Sequence, residues 1–163
     1  MDLITHVATG VLVSTAFEDP LAKTACIVGS VLPDITMAPL YIKAFRARKT
    51  WKGGLRLVNN AKGRMPKRFY VAYWLSHSLV PVSVLTLVSY LGGLHLVFAL
   101  CIGYITHILW DIPTHTHQYA CRPFYPFSRQ LWSGYGNWWS SHLGIGIMAL
   151  SWLVLGTAYF FIP

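Results

Sequence analysis

The chain has 163 residues, 55% of them apolar and 11% charged, with a mean hydropathy of +0.48; this balance excludes an ordinary soluble domain and points to a small multi-pass membrane protein. Thirteen Lys and Arg against five acids give a net charge of +8 and a pI near 9.6. Cys26, Cys101 and Cys121 stand singly with no CxxC pair, which excludes a disulfide framework and a thiolate zinc site and leaves them as apolar filler.

The opening Met-Asp-Leu-Ile-Thr-His lacks the basic n-region of a signal peptide and is expected to belong to the mature protein. Leu3 to Phe17 is a short apolar stretch carrying Thr5, His6, Thr9, Gly10, Ser14 and Thr15. It is long enough for a helix but only marginally long enough to span, and its small residues suit packing inside a bundle. After the turn at Glu18-Asp-Pro20, Leu21 to Ile42 forms a second apolar stretch, which Pro33 should kink or break within Gly29-Ser-Val-Leu-Pro-Asp34. The segment 43–69 is polar and basic, with ten of the thirteen Lys and Arg between Lys43 and Arg68. It is expected to lie along anionic lipid headgroups, each basic residue contributing ~1 kcal/mol. No nucleic-acid recognition fold is legible there, and no nucleic acid is expected.

Phe69 to Leu91 is apolar throughout and begins with Tyr70-Val-Ala-Tyr-Trp-Leu-Ser-His-Ser78, an aromatic belt with His77 just inside it. Gly92-Gly93 marks a turn, and Leu94 to Ile112 supplies a further span. Residues 113–141 read as a loop rich in aromatics, and Leu143 to Ile162 as the cleanest transmembrane helix of the sequence. The fold class is all-α: one domain over residues 1–163, a membrane bundle of about four to five transmembrane helices.

Within the fourth span, His107 and Asp111 stand four residues apart, which on a helix puts both side chains on one face where they can share an ion. Burying an unpaired Asp at membrane depth costs roughly 2.5–3.5 kcal/mol, and a divalent metal offsets that cost. Asp2 and His6 repeat the spacing. Because successive spans alternate in direction, Asp2, His6, Asp34, His77, His107, Asp111, His115, His117 and His142 all reach one end of the bundle. His95 lies at the other end and reads as interfacial. Twelve of the thirteen Lys and Arg share the polar end, which makes it cytoplasmic under the positive-inside rule. Histidine and carboxylate donors without Cys suit zinc, manganese or iron, with zinc the default for hydrolysis.

These residues occur as an ordered set: Asp2-x-x-Thr-His6, Gly29-Ser-x-x-Pro-Asp34, Ser76-His-Ser78, Gly103-Tyr-x-x-His107-x-x-x-Asp111-x-x-Thr114, and Pro126-Phe127. The set resembles the YdjM-like group of LexA-regulated, inner-membrane-associated metal-dependent hydrolases. Thr36 stands where that group often has a second acid. More remotely, the order His, Asp, His, His-x-x-x-Asp, His is similar to the helical zinc phospholipases C and the single-strand zinc nucleases. That likeness implies His6, Asp34, His77, His107 and Asp111 as ligands of one or two zinc ions. It also implies a further ion on His115 or His117 with His142, although no acid follows His142 at helical spacing.

The expectation is a metal-dependent hydrolase of the inner (plasma) membrane with its site facing the cytoplasm. Its partner is membrane lipid, its substrate a phosphoester or phospholipid, and a metal-activated water is oriented or deprotonated by Asp34 or Asp111. The alternative is a non-enzymatic membrane protein, a metal or proton transporter or a scaffold, using the same His/Asp cluster.

Overall fold

A computed structural model of the chain describes residues 3–39, 67–116 and 119–135, with isolated helical positions at 42, 46 and between 142 and 157. Helix α1 (Leu3–Ser14) buries Thr5, His6, Thr9, Gly10 and Ser14 and leaves Leu3, Ile4, Val7 and Val11 exposed. Its polar and small residues therefore face the protein and its aliphatic ones face outward. The Thr9 hydroxyl donates back to the Thr5 carbonyl at 2.8 Å, so its burial leaves no unmet donor.

Helix α2 (Pro20–Gly29) starts where the sequence dictates. Asp19 caps it, its carboxylate accepting from the backbone N–H of Leu21 and Ala22, and Pro20 occupies the first helical position. Ala22, Cys26 and Gly29 form its buried face. Pro33 then ends helical continuity as expected, and Leu32–Met37 winds into a short 3-10 helix with Asp34 in its first turn.

The expected single span from Phe69 to Leu91 is two helices, α3 (Lys67–Ser76) and α4 (Leu79–Leu91), bent by 42° at His77-Ser78. Pro81 has no N–H, and in a continuous helix its ring would meet the His77 carbonyl, so the chain breaks one turn earlier. The Ser78 hydroxyl oxygen caps α4 by accepting from the Val80 N–H at 3.2 Å. The loop after α5 holds the break open: Leu79 N–H donates to the Pro123 carbonyl at 2.9 Å, and the Ser78 hydroxyl lies 2.6 Å from the Tyr125 carbonyl. Gly93, at φ +67°, makes the turn into α5 (His95–Thr114). His95 begins α5 in an exposed position, consistent with its interfacial reading.

Helix α5 is the central element, with α1, α2 and α4 packed on it. Its closest approach is to α2 and is reciprocal. A Cβ on Gly103 would collide with the Cys26 carbonyl, and one on Gly29 with the Leu100 carbonyl. Small residues thus let two backbones touch, the packing used where burial of large side chains is not the driving force. Cys26 packs with Ala22 and Ala99, and Cys101 with Val82 and Ile108, so both thiols serve as apolar filler.

Among the described residues there is no strand, only an isolated bridge between Cys121 and Trp132, and the fold is all-α. One helix, α5, is long and apolar enough to cross a membrane, or two spans if the bent α3–α4 pair counts as one; α1 and α2 are shorter apolar helices of 12 and 10 residues. The basic segment through Pro66 and most of the span from Leu143 lie outside the described residues.

Candidate metal centre

Four elements deliver polar side chains to one end of this bundle. His6 comes from the first turn of α1, Asp34 from the 3-10 helix, His77 from the α3–α4 break, and His107 and Asp111 from the last two turns of α5. Asp34, His77, His107 and Asp111 each offer a donor atom, and those atoms all lie within 4.8 Å of one another. His107 Nε2 is 3.1 Å and His77 Nε2 3.5 Å from Asp111 Oδ2, while Asp34 Oδ1 is 3.8 and 3.9 Å from the same two nitrogens. Ligand atoms around a tetrahedral zinc with bonds of ~2.0–2.2 Å stand roughly 3.3–3.6 Å apart. The observed separations bracket that range.

The second ring nitrogens decide what the cluster can hold. His107 Nδ1 lies 2.7 Å from the Ser30 carbonyl, and His77 Nδ1 lies 3.0 Å from the Tyr73 carbonyl. A carbonyl only accepts, so each Nδ1 carries the proton and each neutral ring presents a bare lone pair at Nε2. Both Nε2 atoms are buried, with the carboxylate oxygens of Asp34 and Asp111 as their near neighbours. Two buried Nε2 atoms therefore face two carboxylates, a donor set that a divalent cation at its centre would satisfy. A backbone carbonyl behind each imidazole is also how metal-ligating histidines are commonly oriented. Ser30 is available for this because α2 ends at Gly29, so its carbonyl is spent on His107 rather than on the helix.

Asp111 is the hub, 1% exposed, and its other oxygen is equally occupied. Oδ1 lies 3.2 Å from His6 Nε2 and 3.2 Å from His115 Nδ1. His6 is fully buried and stacks on His107 with ring centroids 3.7 Å apart. His115 is placed differently. Its Nδ1 also lies 3.2 Å from the Asp111 carbonyl, so it braces Asp111 from the helix terminus instead of facing the cluster's centre. Asp34 is the open member, its side chain 36% exposed against 1% for Asp111.

Of the residues singled out in the sequence, the structure brings together His6, Asp34, His77, His107, Asp111 and His115. Asp2 and His117 lie outside the described residues, and His142 is an exposed helical position outside the convergence. The Ser30 and Tyr73 carbonyls went unread because a backbone acceptor leaves no mark on residue type. Tyr73 contributes twice more: its ring stacks on His77 at 4.2 Å and its hydroxyl donates to the Tyr119 carbonyl at 2.8 Å, clamping the following loop against the ligand. The buried Cys121 of that loop is not among the residues whose donor atoms converge.

Residues 3–152 match the family described as zinc dependent phospholipase C. The chain belongs to the zinc-dependent phospholipase C family. Neither curated proteins nor solved structures yield a match. Membership of the family and the His/Asp cluster together support a metal-dependent hydrolase whose metal is a divalent ion, zinc above others.

Proposed function

We propose that this member of the zinc-dependent phospholipase C family is a membrane-embedded hydrolase that cleaves a phosphoester, with a phospholipid as the substrate class, at the cytoplasmic headgroup level of the inner membrane. The observation that carries the reading is the convergence of the buried, oriented Nε2 atoms of His77 and His107 with the carboxylates of Asp34 and Asp111, all four donor atoms within 4.8 Å of one another. Those four side chains would hold the ion. Bound there, zinc supplies a Lewis acid for the phosphoester oxygen and lowers the pKa of water to ~7. Ser30 and Tyr73 hold the imidazoles in the tautomer that binding needs, and His115 fixes the Asp111 carboxylate. Asp34, the one carboxylate of the four open to solvent, is placed to orient the attacking water and accept its proton. A second ion sharing Asp111 would take His6, whose buried Nε2 lies 3.2 Å from Oδ1.

Support for the membrane location comes from surface chemistry. No Asp, Glu, Lys or Arg occurs between Arg68 and Asp111. Along the α4–α5 hairpin Leu87, Val88, Leu91 and Leu94 are 52–75% exposed, and α1 presents its aliphatic residues outward. An apolar exterior of this extent fits lipid. The basic stretch Lys43 to Arg68 would hold anionic headgroups near the site, and the ordered motifs from Asp2 to Thr114 support the narrower kinship with the YdjM-like group.

The test is metal content by mass spectrometry on detergent-purified protein, wild type beside His107→Ala and Asp111→Asn, followed by headgroup release from phospholipid vesicles. One or two zinc ions per chain in wild type and none in either variant, with turnover lost in parallel, is the expected result. A folded wild type that stays empty after reconstitution would sink the reading in favour of a transporter or scaffold.

A further inference from the structure

Behind His77 lies a second set of hydroxyls that the cluster itself does not use. Ser76 Oγ is 3.0 Å from His77 Nδ1 and 3.2 Å from Thr36 Oγ1, across 40 residues of sequence. Thr36 Oγ1 is in turn 2.9 Å from the Pro33 carbonyl. Pro33 immediately precedes Asp34, so the contacts run from one candidate ligand to the backbone of another.

Proton bookkeeping gives this chain a direction. The carbonyls of Pro33 and Tyr73 can only accept. Thr36 therefore donates to Pro33, which leaves its oxygen as the acceptor for Ser76. Ser76 Oγ, whose single proton is shared between Thr36 and the Tyr73 carbonyl at 2.9 Å, accepts from His77 Nδ1–H. The chain thus runs in one sense, His77 to Ser76 to Thr36 to Pro33, with the Tyr73 carbonyl accepting in parallel from His77 Nδ1–H and from the Ser76 hydroxyl. The Ser76 carbonyl is fixed from a third side, accepting from the Tyr104 hydroxyl at 2.7 Å, one helical turn before His107. Ser76, the one hydroxyl on the His77 ring, is thus itself held by hydroxyls of the 3-10 helix and of α5.

We infer that Thr36 and Ser76 are positioning residues for metal binding: their hydroxyls form a one-way hydrogen-bond relay that sets the His77 ring and ties the Asp34-bearing 3-10 helix to the α3–α4 break. The inference rests on the metal-binding reading above. It gives Thr36, which has no donor atom in the cluster, a definite task there. Outer-shell partners of ligating imidazoles contribute about tenfold to a hundredfold in metal affinity.

The experiment is zinc affinity by chelator competition on the full chain in detergent, with the visible spectrum of the cobalt-substituted protein as a second readout. The variants are Thr36→Val, Thr36→Ser, Ser76→Ala and the double Thr36→Val/Ser76→Ala. Thr36→Val keeps the shape and loses the hydroxyl, and is expected to weaken zinc about tenfold and shift the cobalt bands. Thr36→Ser restores the hydroxyl and should restore both readouts. The double variant should bind no more weakly than Ser76→Ala alone, because the two residues act in one chain. Wild-type affinity and spectrum in Thr36→Val, or losses that simply add in the double variant, would overturn the relay and leave the metal site standing. A lower melting temperature in Thr36→Val with unchanged zinc affinity would overturn it too, by showing a purely structural role. A wild type that takes no zinc would overturn the functional reading and the relay together.

Discussion

Asp34 and Asp111 carry the same functional group and are set up for different work by burial alone. Asp111 is 1% exposed and enclosed by His6, His77, His107 and His115, whereas Asp34 is 36% exposed and touches the cluster through one oxygen. Asp34→Asn should therefore weaken zinc less than Asp111→Asn does, while the zinc-loaded variant turns over about 10²- to 10⁴-fold more slowly, the contribution of a positioned general base. Single-turnover kinetics beside metal analysis separates the two effects, and loss of zinc with intact affinity for substrate would reassign Asp34 as a ligand only. The pairing of His107 with Asp111 was legible in the sequence because helical spacing puts i and i+4 on one face. The backbone carbonyls that aim the imidazoles were not, because every residue type carries one. His115 was legible as part of the polar end, but its task was not. Whether it faced an ion or braced Asp111 depended on where α5 ended, and the helix runs through Pro113 to Thr114.

At the scale of elements, the site depends on two junctions. The first is the reciprocal approach of Gly29 to the Leu100 carbonyl and of Gly103 to the Cys26 carbonyl, which brings the Ser30 carbonyl within 2.7 Å of His107 one turn further along α5. Gly103→Ala forces a methyl against the Cys26 carbonyl and should destabilise the fold by about 1–3 kcal/mol, visible in thermal unfolding, and weaken zinc binding by displacing His107. The second junction is the break at His77-Ser78. Ser78→Ala removes the cap of α4 and the hydroxyl contacts to the loop, with an expected cost of about 1–2 kcal/mol in the same measurement. This break was the largest departure from the single span expected from hydropathy. An apolar run shows no interruption in a hydropathy plot, whereas Pro81 and the Ser78 cap, which end one helix and start another, are signals of backbone chemistry. Pro33, flanked by Gly29 and Asp34, gave a stronger signal of the same kind, and the 3-10 helix forms there.

For the molecule as a whole, the four donors lie between positions 34 and 111, on the 3-10 helix, the α3–α4 break and α5, so an ion held by them bridges chain segments far apart in sequence. Zinc binds the folded chain and finds no such cluster in the unfolded one, so it should raise stability by about 2.7 kcal/mol at a free concentration one hundred times the dissociation constant. The melting temperature of wild type should accordingly rise with zinc and fall with chelator, while that of His107→Ala responds to neither. The close approach of α2 and α5 at Gly29 and Gly103 has a consequence for how such a site evolves. Ligands can be exchanged one at a time, His for Asp or Asp for Glu, because each is a side chain on a fixed frame. The distance between α2 and α5 has no such freedom. A side chain at either glycine pushes both backbones apart, and the compensating change would have to be made in the other helix's main chain, which substitution cannot shorten. The frame that holds the cluster therefore stands only while both positions keep a side chain no larger than glycine's hydrogen.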